Sequence, residues 1–86
     1  MQNTIHTLVT TALERHGIAS FTITVENISH QHAGHFNGNG ESHFVVTVES
    51  ENLLKNKPLE RHRILNEAVS YLLKNGEVHA ISFKVK

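Results

Sequence analysis

The 86-residue chain contains no cysteine. Disulfide bonds, zinc sites built from thiolates and a cysteine nucleophile are therefore excluded. The chain also lacks net charge, because eight Lys and Arg residues balance eight Asp and Glu residues. A broad electrostatic attraction to nucleic acid or to anionic lipid is not expected at pH 7, although eight histidines would turn the chain positive in mild acid.

The sequence also gives no sign of a secretory signal or of a membrane-spanning segment. The stretch before Gly17 has no basic region and no continuous apolar run, and segments of both kinds require an apolar run. The absence of disulfides is compatible with a reducing compartment. We therefore expect a cytoplasmic protein without a membrane partner, and its length predicts one domain over residues 1–86.

The first half of the chain predicts one helix and two strands. Apolar residues recur at helical spacing over 3–16, and Gly17 stands where a helix favours a residue with positive φ. Alternating apolar residues then predict strands over 21–29 and 43–50. Because the two strands follow each other, they predict an antiparallel hairpin with a long, glycine-rich connection.

The second half predicts two helices and a third strand. Residues 51–54 form a short turn or helix, and Pro58 suits the first position of a long helix that Asn75 and Gly76 end. Residues 78–85 alternate again and predict the last strand. The predicted fold is therefore α+β, in the order α-β-β-α-α-β, with helices on one face of a three-stranded mixed sheet.

Imidazoles concentrate in the connection between the first two strands. His30, His32 and His35 stand within six residues, and His43 closes the segment. Imidazole suits zinc, copper, nickel and iron, whereas a closed zinc site needs four ligands in a fixed geometry. The pattern therefore fits a metal role and also fits a solvated polar loop whose histidines bind nothing.

His79 stands at the start of the last predicted strand, two residues before Ile81. Strand alternation places it on the face of Ile81 and Phe83, partly shielded at the end of the sheet. One interpretation is a packed imidazole that is hydrogen-bonded to the backbone. If the hairpin connection folds over this end, His79 and one histidine of the connection instead form half of a metal site, and another molecule has to supply the remaining ligands.

A third group of candidate residues is the Arg61-His62-Arg63 run, which lies in the first two turns of the long helix. At ~3.6 residues per turn, residues two apart point about 160° away from one another, so the arginines cannot form one fork. Arg61 lies beside the apolar stripe and Arg63 faces water. Cations are mildly unfavourable near a helix N-terminus, so the run indicates either the docking of a partner or of the connection, or an ordinary solvated face. Lys55 and Lys57 add a small basic cluster for phosphate or an acidic partner.

The sequence offers little support for catalysis. It contains neither a nucleophile elbow nor a phosphate-binding glycine signature. Carboxylates on its polar faces stand singly and form no convergent acid and base pair; they are Glu26, Glu41, Glu49 and Glu51. We therefore expect a protein that is not an enzyme.

Four blocks of the sequence carry a family resemblance. SHQHAGH, ESHFVVTV, ERHR and VHAISFK, in this order and spacing, resemble the BolA family. The resemblance covers about residues 3–86, and its most specific parts are the Arg-His-Arg and Val-His-Ala blocks. It implies a BolA-like α-β-β-α-β fold that is related to the class II KH fold and consistent with the predicted order of elements.

The resemblance further implies a monothiol glutaredoxin as partner. Such heterodimers can hold a 2Fe-2S cluster, to which the glutaredoxin side supplies its cysteine and a glutathione thiolate. The BolA side supplies the histidine of the Val-His-Ala block, here His79, and a ligand from the connection. His32 matches that ligand best, and His30 and His35 remain alternatives. The functions attributed to such pairs are iron–sulfur cluster trafficking and iron homeostasis.

The chemistry of the cluster agrees with the composition of the chain. A 2Fe-2S cluster needs four ligands. A cysteine-free chain that offers two imidazoles cannot complete this set, so it would bind no cluster tightly alone and would depend on thiolates from its partner. Each imidazole must be neutral to bind.

Some bacterial members of the family are DNA-binding transcriptional regulators that affect cell shape and stress response. This alternative would use either the connection between the first two strands or the cations of the basic corner, which are Lys55, Lys57, Arg61 and Arg63. The chain departs from the family pattern beside this corner, where Leu53-Leu54-Lys55 replaces an aromatic-x-glycine sequence, and at Ile28, which replaces an acidic residue. The connection KNKP lacks the glycines of a KH nucleic-acid loop, so KH-style binding is not expected.

Overall fold

The structure of the protein is a computed structural model that describes residues 1–28 and 43–86. Its elements follow the order α-β-β-α-α-β, as predicted. They are α1 (Gln2–Arg15), β1 (Thr22–Asn27), β2 (His43–Glu49), α2 (Glu51–Leu54), α3 (Pro58–Lys74) and β3 (Ala80–Val85). None of the helices in these two ranges is long and apolar enough to cross a membrane.

The strands form one mixed sheet in which β2 is central. β1 pairs with β2 in antiparallel orientation, so that Val25 lies opposite Val46. β3 pairs with the other side of β2 in parallel orientation, and Phe83 lies opposite the same Val46. The predicted hairpin and the predicted mixed sheet are thus confirmed, and the connection between β1 and β2 lies outside the described residues.

One face of the sheet is buried beneath the helices. Phe44, Val46 and Val48 on β2 are fully buried, whereas the residues between them are only half-buried. α1 packs against β1 and α3, and α3 also packs against β3. The side chains that complete the core from the helices are Ile5, Val9, Leu13, Ile64, Leu65, Val69 and Leu72. Their spacing is the i, i+4 pattern expected of helices that bury one stripe.

The ends of the helices follow from local sequence. Gly17, after α1, has a φ of +76°, a conformation in which a side chain is strained. α3 has Pro58 at its first position, where the missing N–H costs no hydrogen bond, and Gly76 follows its last turn with a φ of +80°. The predicted helix signals are confirmed at each of these positions.

The corner before α3 is held by one buried hydroxyl. Ser50 Oγ donates to the carbonyl oxygen of Ser20 at 2.7 Å and accepts from the N–H of Leu53 at 3.1 Å, which caps α2. Leu53 is fully buried in the core, and the N–H of Asn56 donates to its carbonyl oxygen. The corner is therefore organised around Ser50, the buried Leu53 and Asn56.

The strand boundaries differ from the prediction at the ends that border the histidines. β1 ends at Asn27 rather than at residue 29, and β3 begins at Ala80 rather than at residue 78. His79 therefore precedes the last strand. The reason is that Val78 and Ile81 both pack against the core although they stand three residues apart, which the alternation of a continuous strand does not allow.

Candidate functional site: a histidine pair at one end of the sheet

The ends of three strands meet at the edge of the sheet where the histidines lie. Asn27, the last residue of β1, is opposite Phe44. His43, the first residue of β2, is opposite Ala80, the first residue of β3. The chain leaves the sheet after β1, returns at His43 and enters β3 directly after His79. The connection that carries the other clustered histidines therefore begins and ends at the same edge of the sheet as His79.

Two imidazoles are in contact at this edge. The ring centres of His43 and His79 lie 5.8 Å apart, and the ring planes are inclined by 69° in an edge-to-face arrangement. His43 alternates with the buried Phe44, so it belongs to the face of the sheet that points away from the helices. The side chain of His79 is exposed. The predicted partial shielding of His79 beside Ile81 was therefore wrong, because the chain bends before β3.

The backbone before His79 is fixed by a tight turn and by one buried side chain. Asn75 Oδ1 accepts a hydrogen bond from the N–H of Glu77 at 3.0 Å, and Asn75 Nδ2 donates to Glu77 Oε1. Val78 is 1% exposed, and its N–H donates to the carbonyl oxygen of Leu72 in α3. The end of α3 and the core therefore anchor the residue directly before His79, which leaves the imidazole at the surface.

The donor set at this edge is half of a coordination sphere. Among residues 1–28 and 43–86, no group of three or more His, Cys, Asp or Glu side chains is arranged to hold a metal ion. Two imidazoles can replace two thiolates on one iron of a 2Fe-2S cluster. Within the described residues this edge offers two imidazoles at most, so a metal centre here would need further ligands from elsewhere.

Only one of the four predicted ligand candidates falls within the described residues. His79 lies at the edge of the sheet, as expected, whereas His30, His32 and His35 lie outside the described ranges. The pairing of His79 with His32 therefore stays a prediction. His43 was not singled out as a ligand from sequence, because its contact with His79 depends on the pairing of β2 with β3, which are far apart along the chain.

The basic run at the start of α3 lies away from the histidine pair. Arg61 and His62 line a groove with Leu65, Phe83 and Val85, and Arg61 is half-buried there. Arg63 is exposed and lines a different groove, which also contains His16 and Glu60. The prediction that the two arginines do not converge is confirmed. Arg61 precedes the last residue of α3 by thirteen positions, which corresponds to about 20 Å along the helix axis.

The lysines of the basic corner are exposed. Lys55 closes α2 and Lys57 caps α3, so both ammonium groups can reach solvent. The same corner carries the exposed carboxylates of Glu51 and Glu60. Opposite charges are thus interspersed, and the corner is not a surface of one sign.

The fold and the edge histidines define a small α+β domain with a mixed three-stranded sheet and a solvent-facing imidazole pair. A family model described as BolA-like protein matches residues 13–86, and the chain belongs to this family. The matched range includes every element from the end of α1 to β3. The resemblance drawn from the four sequence blocks is confirmed.

Individual relatives agree with this assignment. A BolA-like protein of Dictyostelium discoideum is 33% identical over 60 residues, which are 70% of this chain and 53% of that protein. The chain thus spans about half the length of that relative. The BolA domain of SufE1 from Arabidopsis thaliana is 32% identical, with a TM-score of 0.62 over 91% of this chain and 85% of that one. The solution structure of BolA1 from Mus musculus is also 32% identical, with a TM-score of 0.64 over 95% of this chain and 63% of that one.

Proposed function

We propose that this chain shares a 2Fe-2S cluster with a monothiol glutaredoxin and acts in iron–sulfur trafficking and the regulation of iron homeostasis. The chain provides two imidazoles, those of His79 and of one histidine in the connection. By the family resemblance that second ligand is His32, with His30 and His35 as alternatives. The glutaredoxin provides its cysteine and a glutathione thiolate. The role is not an enzymatic one, and the cluster is not held tightly by this chain alone.

The exposure of His79 at the edge of the sheet is the observation that carries the proposal. A cluster that two proteins share lies at their interface, so each side chain that binds it has to reach the surface of its protein. His79 is exposed, while Val78 before it is buried. The connection with the remaining histidines starts after Ile28 and returns at His43, whose ring touches that of His79. His79 and the connection that carries the second proposed ligand are thus joined to the same end of the sheet.

The comparisons support an iron–sulfur setting. One similar structure is the BolA domain of a SufE protein, so a domain of this kind occurs within a protein whose name links it to sulfur metabolism. Family membership adds the expectation of a glutaredoxin partner. These observations concern the relatives, and the proposal extends them to this chain.

The proposal also assigns a docking role to the Arg61-His62-Arg63 run. This run and His79 lie at opposite ends of α3, about 20 Å apart along its axis. A protein–protein interface of standard size covers about 800 Å² of each partner, which is wide enough to include both. The partner would thus coordinate the cluster at one end and contact Arg61 and His62 at the other.

The experiment combines the chain with cluster-loaded monothiol glutaredoxin and records visible absorption and circular dichroism. We expect mixing to change the spectrum, because imidazole replaces part of the ligand set. His79→Ala and His32→Ala should each remove or alter this change. His6→Ala is the matched control, since His6 is also exposed and lines neither of the grooves that contain Arg61 and Arg63. Complex formation is measured separately by size-exclusion chromatography with light scattering.

Two outcomes separate ligation from docking. If His79→Ala and His32→Ala leave both complex formation and the spectrum unchanged, the ligand assignment is wrong. If only His79→Ala changes the spectrum, the same measurement on His30→Ala and His35→Ala identifies the second ligand. Loss of the complex in Arg61→Ala with an unchanged fold supports the docking role, and an unchanged affinity contradicts it.

DNA binding is the alternative function, and the exposure of Lys55, Lys57 and Arg63 is the observation that favours it. Such side chains can neutralise phosphates. The carboxylates of Glu51 and Glu60 at the same corner and the zero net charge of the chain oppose it. For this reason the cluster-sharing role is preferred here.

A further inference from the structure

We infer that His43 and His79 form a binding site of their own for a divalent transition-metal ion such as Zn²⁺, which the chain binds without any partner protein. The inference requires neither a cluster nor a glutaredoxin, and it requires no residue of the connection between β1 and β2. It differs in its ligands from the proposed cluster site, to which His43 does not contribute.

The distance between the rings is close to that of two ligands on one ion. Zinc binds imidazole nitrogen at about 2.0–2.1 Å, which places the centres of two rings on one tetrahedral ion about 5 Å apart. The observed separation is 5.8 Å. The rings are not stacked, because their planes are inclined by 69°. The inference requires rotation about the side-chain bonds of His79, which its exposure permits, so that one nitrogen from each ring is directed at a common point.

The backbone holds both residues in place before a metal arrives. His43 begins the central strand, its carbonyl oxygen accepts a hydrogen bond from the N–H of Ile28 at 3.0 Å, and its Cα is in register with that of Ala80. His79 follows the buried Val78. The sheet and the core fix the backbone of both residues. Metal binding therefore has to immobilise little more than two side chains, and this preorganisation favours affinity because it lowers the entropic cost of binding.

The chemistry of the donors decides the class of ion. Imidazole binds zinc, copper and nickel, whereas calcium and magnesium prefer oxygen ligands. Each ring has two nitrogens, so one can hydrogen-bond within the protein while the other binds the metal. Two protein ligands leave positions for water, and the site is consequently weaker than a closed site with four. Since His79 is common to both proposals, bound zinc should compete with the cluster.

The test uses Zn²⁺ and a variant in which His30, His32 and His35 are all replaced by alanine. The isolated, metal-free protein is titrated with zinc while NMR follows the imidazole C–H signals. We expect the signals of His43 and His79 to shift together with one apparent affinity, and the signal of His16 to stay unmoved. In this background His43→Ala or His79→Ala should weaken zinc binding by about tenfold or more, since loss of even an outer-shell partner costs about 10–100-fold.

A substitution of the exposed position separates ligation from ring packing. His79→Phe keeps an aromatic ring beside His43 and removes both nitrogens, so it should abolish site-specific zinc binding while far-UV circular dichroism stays unchanged. The inference is overturned if zinc leaves the signals of His43 and His79 in place, or if His79→Phe binds zinc as the parent does. Because glutaredoxin and cluster are absent from the assay, its result is independent of the proposed function.

Discussion

Val78 anchors the backbone that presents His79, and its replacement by alanine tests this reasoning. The side chain of Val78 is 1% exposed and belongs to the core, although the residue lies outside any strand or helix. The substitution removes two methyl groups from a closely packed interior. It leaves the imidazole of His79 and the turn from Asn75 to Glu77 chemically unchanged.

The magnitude follows from the lost burial and from the cavity that remains. Two buried methyl groups account for about 1.6 kcal/mol of transfer free energy at about 0.8 kcal/mol each. A cavity of about 40 Å³ adds about 1 kcal/mol at about 24 cal/mol per Å³. We therefore expect Val78→Ala to lower the free energy of unfolding by about 2.6 kcal/mol. An 86-residue domain has about 4–13 kcal/mol in total, so the loss is large.

This loss of unfolding free energy is measured by urea denaturation, with far-UV circular dichroism as the signal. With a slope of about 1–1.5 kcal/mol per molar urea, the midpoint should fall by about 1.7–2.6 M while the slope stays constant. The matched control is Val45→Ala, because Val45 is half-buried on the face of β2 that points away from the helices. This control should cost at most about 1 kcal/mol, the range of strand propensity in a host protein.

The comparison of the two valines can refute the reasoning. If Val78→Ala costs no more than Val45→Ala, Val78 does not anchor the segment before His79. A second check is the zinc titration on Val78→Ala under conditions in which it remains folded. A merely local loss of stability should leave the shifts of His43 and His79 in place, whereas coupled loss of zinc binding shows that burial of Val78 positions the imidazole.

Two further predictions concern the corner before α3. Ser50→Ala removes the cap of α2 and the hydrogen bond to the carbonyl oxygen of Ser20, so it should lower the free energy of unfolding by about 1–2 kcal/mol in the same urea experiment. The control is Ser20→Ala at an exposed site, which should change the free energy of unfolding by less than about 0.5 kcal/mol. A duplex DNA titration at several salt concentrations should show no measurable salt-dependent binding. The DNA-binding alternative would instead be established by a plot of log binding constant against log salt concentration with a slope steeper than about −3, at about −0.9 per neutralised phosphate, if Lys55→Ala and Lys57→Ala make that slope shallower.

Much of the fold could be predicted because its signals are local. Phe44, Val46 and Val48 stand at every second position, which predicts a strand with one buried face, and these three side chains are fully buried. Pro58 fixes its own φ at the first position of α3, and Gly76 permits the positive φ that follows the last turn, so these two residues predicted the limits of α3. Such features depend on residues a few positions apart, which a single sequence displays directly.

The candidate site could be predicted only in part. His79 was recognised from its block and from its place at the start of the last predicted strand. Its exposure was not predicted, because the bend between Val78 and Ala80 interrupts the alternation. The contact between His43 and His79 joins residues 36 positions apart. No local pattern specifies such a contact, since it requires β3 to pair in parallel with β2 rather than with β1.

The sequence by itself determined the chemistry that this protein has to offer. It contains imidazoles in place of thiols and carries no net charge, and within residues 1–28 and 43–86 the periodicity of the main helices and strands predicted their buried faces. The tertiary structure alone decided which imidazoles meet, because the order of strands in a sheet depends on how distant apolar faces pack together. That packing places β2 between its neighbours, brings Ala80 level with His43 and leaves His79 at the surface beside it.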